Sequence, residues 1–306
     1  MVANPWHPRI AAFFVYILGL LAGGVINEAF PAAQPAVYSV QVGLVVFLLW
    51  RYRKLVPELT IKFHWLAIPT GIGLLFAWVY LGYATNYLAS LLYDTSLDGF
   101  GRWLVPENAT TIAEGATREH QLRSEVFRGR ENLGDAWYWT TMSLRLLGMS
   151  LVVPLFEELF TRSAVVRGTH SARKTWTGMV QVASDLPLIG DWVSHTAVGK
   201  RASVQPSMLT QQLKQTPVGM ISLFSVAVST AVFMLSHQRR DWAGCIACGV
   251  VWCLMLWWTN RPRKGQTWSD MPEGGRMGLG PIVWSHGITN AVLWIWTIHY
   301  SDWQFL

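Results

Sequence analysis

Uncharged apolar stretches recur along the chain at lengths suited to crossing a bilayer, about 20 residues at 1.5 Å rise each. Ile10–Ile26 and the shorter Ala36–Trp50 come first. Trp65–Tyr93 follows, long enough for one tilted span plus a short extra helix. Ala136–Phe156 is apolar apart from Arg145, and Gln215–Ser236, Trp242–Asn260 and Met277–Ser301 complete the series. Backbone groups in hydrocarbon must be satisfied internally, so each stretch predicts a helix. The pattern therefore predicts an all-α fold, a polytopic membrane helix bundle. It has seven transmembrane helices, or eight if Trp65–Tyr93 splits. Many of the tryptophans, such as Trp50, Trp65, Trp139, Trp242, Trp257 and Trp258, sit near segment ends, where an interfacial belt places them.

Composition agrees with the pattern. Of 306 residues, 52% are hydrophobic and 14% charged, against roughly 25% charged in a soluble domain. That excludes disorder and argues against a large soluble α/β enzyme. The three cysteines, Cys245, Cys248 and Cys253, fall in one apolar stretch and read as small membrane-helix residues, not as a disulfide, zinc or redox set. A net charge of +6 calls for no nucleic-acid partner, because basic loops also set membrane orientation. The first stretch lacks a small-x-small cleavage site before Asn27-Glu28, so the expectation is a retained helix.

Loop charges predict the topology. Arg51, Arg53, Lys54 and Lys62 crowd one loop, and Arg162, Arg167, Arg173, Lys174, Lys200, Arg201 and Lys214 another. The positive-inside rule makes both cytoplasmic and sets the loop 94–135, with its eight acidic residues, outside. The N-terminus is then cytoplasmic. The connectors 94–135 and 163–214 have some amphipathic character and room for surface helices.

Ionisable residues within spans are expensive, so each is a functional candidate. Glu157 and Glu158 adjoin at the end of one apolar stretch, with Pro154 before them in a position to kink the helix. Helical neighbours point about 100° apart, so the two carboxylates are not expected to face the same partner. Glu158 and Arg162, four apart, are expected to pair, leaving Glu157 free towards a cavity. Phe233 and His237, and likewise His286 and Asn290, share helix faces at the same spacing. A Glu and a His can make a shared water nucleophilic, while a His and an Asn can donate to an oxyanion. Read singly, these residues are also consistent with packing, interhelical hydrogen bonds or an interfacial charge pair. Arg145 is open to the reading that it neutralises a carboxylate in the bundle, and His64 and His299 read as structural.

Glu-Glu-x-x-x-Arg, then Phe-x-x-x-His, then His-x-x-x-Asn, in that order on three late spans, resembles the CAAX prenyl protease and bacteriocin-processing family of intramembrane glutamic proteases. Pro154–Ser163 and Ser285–Asn290 look most like its exosortase-associated members. The resemblance covers roughly 140–300, and the first half, 1–135, matches no motif. It implies N-terminal membrane helices with an extramembrane loop over 1–135 and a protease core over 136–306, in one integrated membrane domain. It further implies an endopeptidase of the bacterial inner membrane, acting on a membrane-anchored, lipidated or C-terminally processed protein. Glu157 and His237 activate the water, His286 and Asn290 hold the oxyanion, and Glu158 and Arg162 support them. Its partners are membrane lipid and that substrate. No cofactor is expected, since no His-Glu-x-x-His spacing occurs; zinc on two His and one Glu is the alternative. A proton-coupled transporter and a non-catalytic scaffold are the alternatives from other classes. The protease reading requires the fourth helix to run on through Glu157 to roughly His170, because otherwise Glu157 and His237 lie at opposite faces, about 30 Å apart.

Overall fold

The computed structural model describes residues 4–105, 118–187, 189–204, 206–300 and 302–305, without the side chains of 27, 28, 31, 118–129 and 303. Among the described residues every regular element is helical. Four segments are long and apolar enough to cross a membrane: His7–Ile26, Gln34–Leu55, Ala67–Leu92 and Arg239–Asn260. They correspond to α1 (His7–Ala29), α2 (Gln34–Tyr52), α3 (Ala67–Leu92) and α13 (Trp242–Asn260). The stretch Trp65–Tyr93 does not split, so the eighth span does not arise. A short α4 (Asp98–Leu104) follows it.

The fourth predicted helix is a composite. α5 (Arg118–Leu147) bends at Gly134, whose φ of 83° lies in the left-handed region open to glycine. It then runs without a break through a π-helical turn (Gly148–Val152), α6 (Val153–Glu158), a second π turn (Leu159–Val165) and α7 (Val166–Gly168). The required continuation is present. Pro154 explains the first π turn, because proline has no N–H to return to the preceding turn. In π register the partner of the Met149 carbonyl is that missing N–H, while the Val153 N–H goes to Gly148.

The fifth predicted helix is shorter than expected. α12 (Leu223–Leu235) starts where Ser222 and Ser225 form a reciprocal cap. Upstream, Pro217 and Gly219 (φ 90°) keep the chain in a turn. Thirteen residues cover about 20 Å, less than a full hydrocarbon core. Between α7 and α12 lie four short helices, α8 (Ala172–Ser184), α9 (Gly190–His195), α10 (Ala197–Ser203) and α11 (Met208–Gln215). They leave Trp176, Met179 and Trp192 exposed, as surface helices at an interface do. α14 (Gly280–Tyr300) closes the bundle against α3.

Packing joins early helices to late ones. Phe13 of α1 stacks on Phe160 and lies 6.2 Å from Phe156 between ring centres. Leu74 of α3 shares the core with Trp252, Ile282 and Val283. At one end of the bundle, Glu58 is wholly buried with Arg9 at 2.6 Å and Arg167 at 3.3 Å. The sequence reads Arg9 and Arg167 as flanking or loop charges; they are buried because Glu58 lies between them. At the other end, Trp103 meets Trp242 and the Arg239 guanidinium. Residues 106–117 of the loop 94–135 lie outside the described residues. The three cysteines are free and buried on α13.

Candidate active site

Glu157 and Glu158 sit on the last turn of α6, between the two π turns. Glu158 and Arg162 are both fully buried, 3.3 Å apart. The Arg162 guanidinium lies over the rings of Phe233 (4.8 Å) and Trp252 (5.3 Å) and donates to Thr161 Oγ1 at 2.6 Å. Such a charge tolerates burial because carboxylate, hydroxyl and π faces replace water.

His286 of α14 reaches both carboxylates. Its Nδ1 is 2.8 Å from Glu158 Oε1, and its Nε2 is 3.8 Å from Glu157 Oε2. This corrects the expectation that adjacent glutamates cannot share a partner. Although their side chains diverge, the two nitrogens of one imidazole diverge as well. Trp252 stacks on the imidazole at 4.3 Å with 24° between planes, and its indole N–H donates to Ser285 Oγ at 3.1 Å. An ionised Glu158 only accepts, so His286 Nδ1 carries the proton and Nε2 faces Glu157.

A cavity of about 710 Å³ opens beside this array, and Glu157, His237, His286 and Asn290 all line it. A model of the type II CAAX prenyl endopeptidase Rce1-like family matches residues 139–292, half of the chain. The chain belongs to this family. Membership supports a CAAX-type endopeptidase in an integral membrane protein. No curated protein and no solved structure matches the chain.

The six residues to which the resemblance gives site roles, Glu157, Glu158, Arg162, His237, His286 and Asn290, lie inside the matched region. His237, however, is not on a helix face: α12 ends at Leu235, and His237 occupies the turn beyond it. The turn folds its ring back to 4.5 Å from that of Phe233, with Nδ1 2.8 Å from the Phe233 carbonyl oxygen. That carbonyl needs an N–H, so the neutral ring keeps Nε2 as an acceptor. Asn290 lies one turn after His286, as its spacing predicts. Its Nδ2 donates to Met149 O at 2.7 Å, filling the carbonyl that Pro154 leaves without a partner. The second amide proton remains for another acceptor. Ser229 of α12 docks on the second π turn in a related way, donating at 2.9 Å to Thr161 O, which also accepts the Val166 N–H. Each π turn thus exposes a carbonyl that docks a neighbouring helix. Among the described residues, no group of three His, Cys, Asp or Glu side chains is placed to hold a metal.

Sequence reasoning missed Trp252, and it missed Tyr16 and Tyr38, which bring the first half of the chain into the cavity wall. Aromatic residues are abundant here, and none of these three stands out by spacing. Arg145, flagged in the sequence, also lines the cavity.

Proposed function

We propose that the chain is an intramembrane glutamic endopeptidase that hydrolyses a peptide bond in a membrane-anchored, lipidated protein. The observation that supports this best is the Glu158–His286–Glu157 array opening on one cavity. In the reaction, Glu157 with His237 takes a proton from water, and the hydroxide attacks the peptide carbonyl carbon. The second amide proton of Asn290 and the Nε2–H of His286 as an imidazolium, its Nδ1–H kept by Glu158, donate to the oxyanion. As the C–N bond breaks, the proton held by Glu157 passes to the leaving amine. Buried donors aimed at developing charge act more strongly than in water.

The route is metal-free, with zinc as the alternative. The runs Pro154–Ser163 and Ser285–Asn290 support a place among the exosortase-associated members in the bacterial inner membrane, with the N-terminus cytoplasmic. The decisive experiment is mass spectrometry of prenylated and acylated peptides incubated with the purified protein in vesicles. A discrete cut in a lipidated peptide, lost in Glu157→Gln, is the expected result. No cut in any of them would remove the protease reading.

A further inference from the structure

Among the described residues lining the cavity, Arg145 is the only Lys or Arg. It differs from the buried arginines elsewhere in the bundle. Arg9, Arg162, Arg167 and Arg240 each have a carboxylate within 4 Å. No described carboxylate comes within ion-pair distance of Arg145. Tyr16 and Tyr38 line the same cavity. The acidic groups of the cavity wall are Glu157 and Asp241, and Asp241 lies beside Arg240. A cation held in a membrane bundle without a counter-charge marks the path of a ligand.

We propose that Arg145 is the subsite for the C-terminal carboxylate of the peptide substrate, a reading that rests on cleavage at Glu157. Guanidinium forks match carboxylates with two parallel N–H donors, and of the hydrogen-bonded Tyr16–Tyr38 pair in the same wall the Tyr38 O–H is left to add a third. Arg145 precedes Glu157 by twelve residues on one continuous helix, which spans about 18 Å. Allowing for the reach of both side chains, about three or four extended residues at about 3.3 Å each fit between them. The anion therefore sets how far from the chain end the bond is cut. The phosphate of an anionic lipid offers the same chemistry, so the test includes it.

The test uses the full chain in phosphatidylcholine vesicles. The probes are a farnesylated peptide with a free C-terminal carboxylate and the same peptide as its C-terminal amide. Binding is read by fluorescence anisotropy in a Glu157→Gln background, and turnover separately in the unsubstituted enzyme. The acid should bind about ten-fold tighter than the amide or more. Arg145→Gln should remove the difference, while Arg145→Lys keeps part of it. Equal binding, binding of neither peptide, or a preference surviving Arg145→Gln overturns the assignment. So does Arg145-dependent displacement of the acid by phosphatidic acid doped into the vesicle, which would make the ligand a lipid. An acid preference without cleavage keeps the subsite and removes the protease reading. Equal cleavage of acid and amide does the reverse.

Discussion

His286 Nδ1 lies 2.8 Å from Oε1 of Glu158, and this one contact decides which ring nitrogen Glu157 and the cavity meet. Glu158 stays a pure acceptor because Arg162 is 3.3 Å behind it, with neither residue exposed to solvent. Removing the cation should therefore be felt twice. Arg162→Ala leaves an unpaired buried carboxylate, at a cost of about 3–5 kcal/mol. Thermal unfolding of the purified protein and its abundance in the membrane measure this, and both should fall. Arg162→Lys should recover only part, since an ammonium cannot lie flat over Phe233 and Trp252.

Glu157→Gln separates chemistry from folding. Among the described residues Glu157 has no ion pair apart from the 3.8 Å approach to His286, so an amide of the same shape leaves the bundle intact. Losing the base should lower turnover by about 10²–10⁴-fold. The check is the single-turnover rate in vesicles beside an unchanged melting temperature. A rate within a few-fold of the parent's would remove Glu157 from the base role.

Asn290→Ala has two consequences. The Met149 carbonyl loses its 2.7 Å donor, at about 1–3 kcal/mol of stability. The oxyanion loses a donor too, so kcat should drop by about 10²–10³ with KM little changed. A fall in KM-weighted binding with kcat preserved would instead mark Asn290 as a residue that only holds α14 in place.

Gly287→Ala should act at a distance from the reacting atoms. A Cβ there would lie 2.5 Å from the Ser150 carbonyl oxygen, so α14 must move off the first π turn and carry His286 and Asn290 with it. Overpacking of this kind costs about 1–3 kcal/mol, and activity should fall with stability. Gly43→Ala, with nothing within 4 Å of the new carbon, is the control and should leave both unchanged.

Metal removal tests the route itself. Dialysis against a strong chelator should leave the rate nearly unchanged under the glutamate mechanism. Full inhibition, restored by stoichiometric zinc and matched by zinc in the purified protein, would assign Glu157 and the histidines to a metal instead.

Much of the architecture was legible because bilayer crossing imposes a length and a composition on each helix. The ion pair Glu158–Arg162 and the shared face of His286 and Asn290 were legible because helical periodicity is local. His237 was misplaced onto α12 because the chain leaves the helix at Ser236, and helix ends are set by hydrogen bonds that spacing does not encode. The short start of α12 follows from Ser222 and Ser225 capping each other, a signal present in the chain and overlooked beneath its hydrophobicity.

The order and kind of residues thus determined the helices, the family motifs and the pairings within one helix, since each depends on neighbours a few positions apart. Tertiary structure alone decided that one imidazole bridges both glutamates, that Glu58 draws Arg9 and Arg167 into the interior, and that Arg145 looks into the cavity without a carboxylate. Those outcomes depend on how α1, α2, α12, α13 and α14 approach the π-turned helix. That approach is set by the freed carbonyl of Met149, by the Thr161 carbonyl that Ser229 shares with its own helix, and by a glycine at 287. Close packing converts such small local features into the position of every side chain around them.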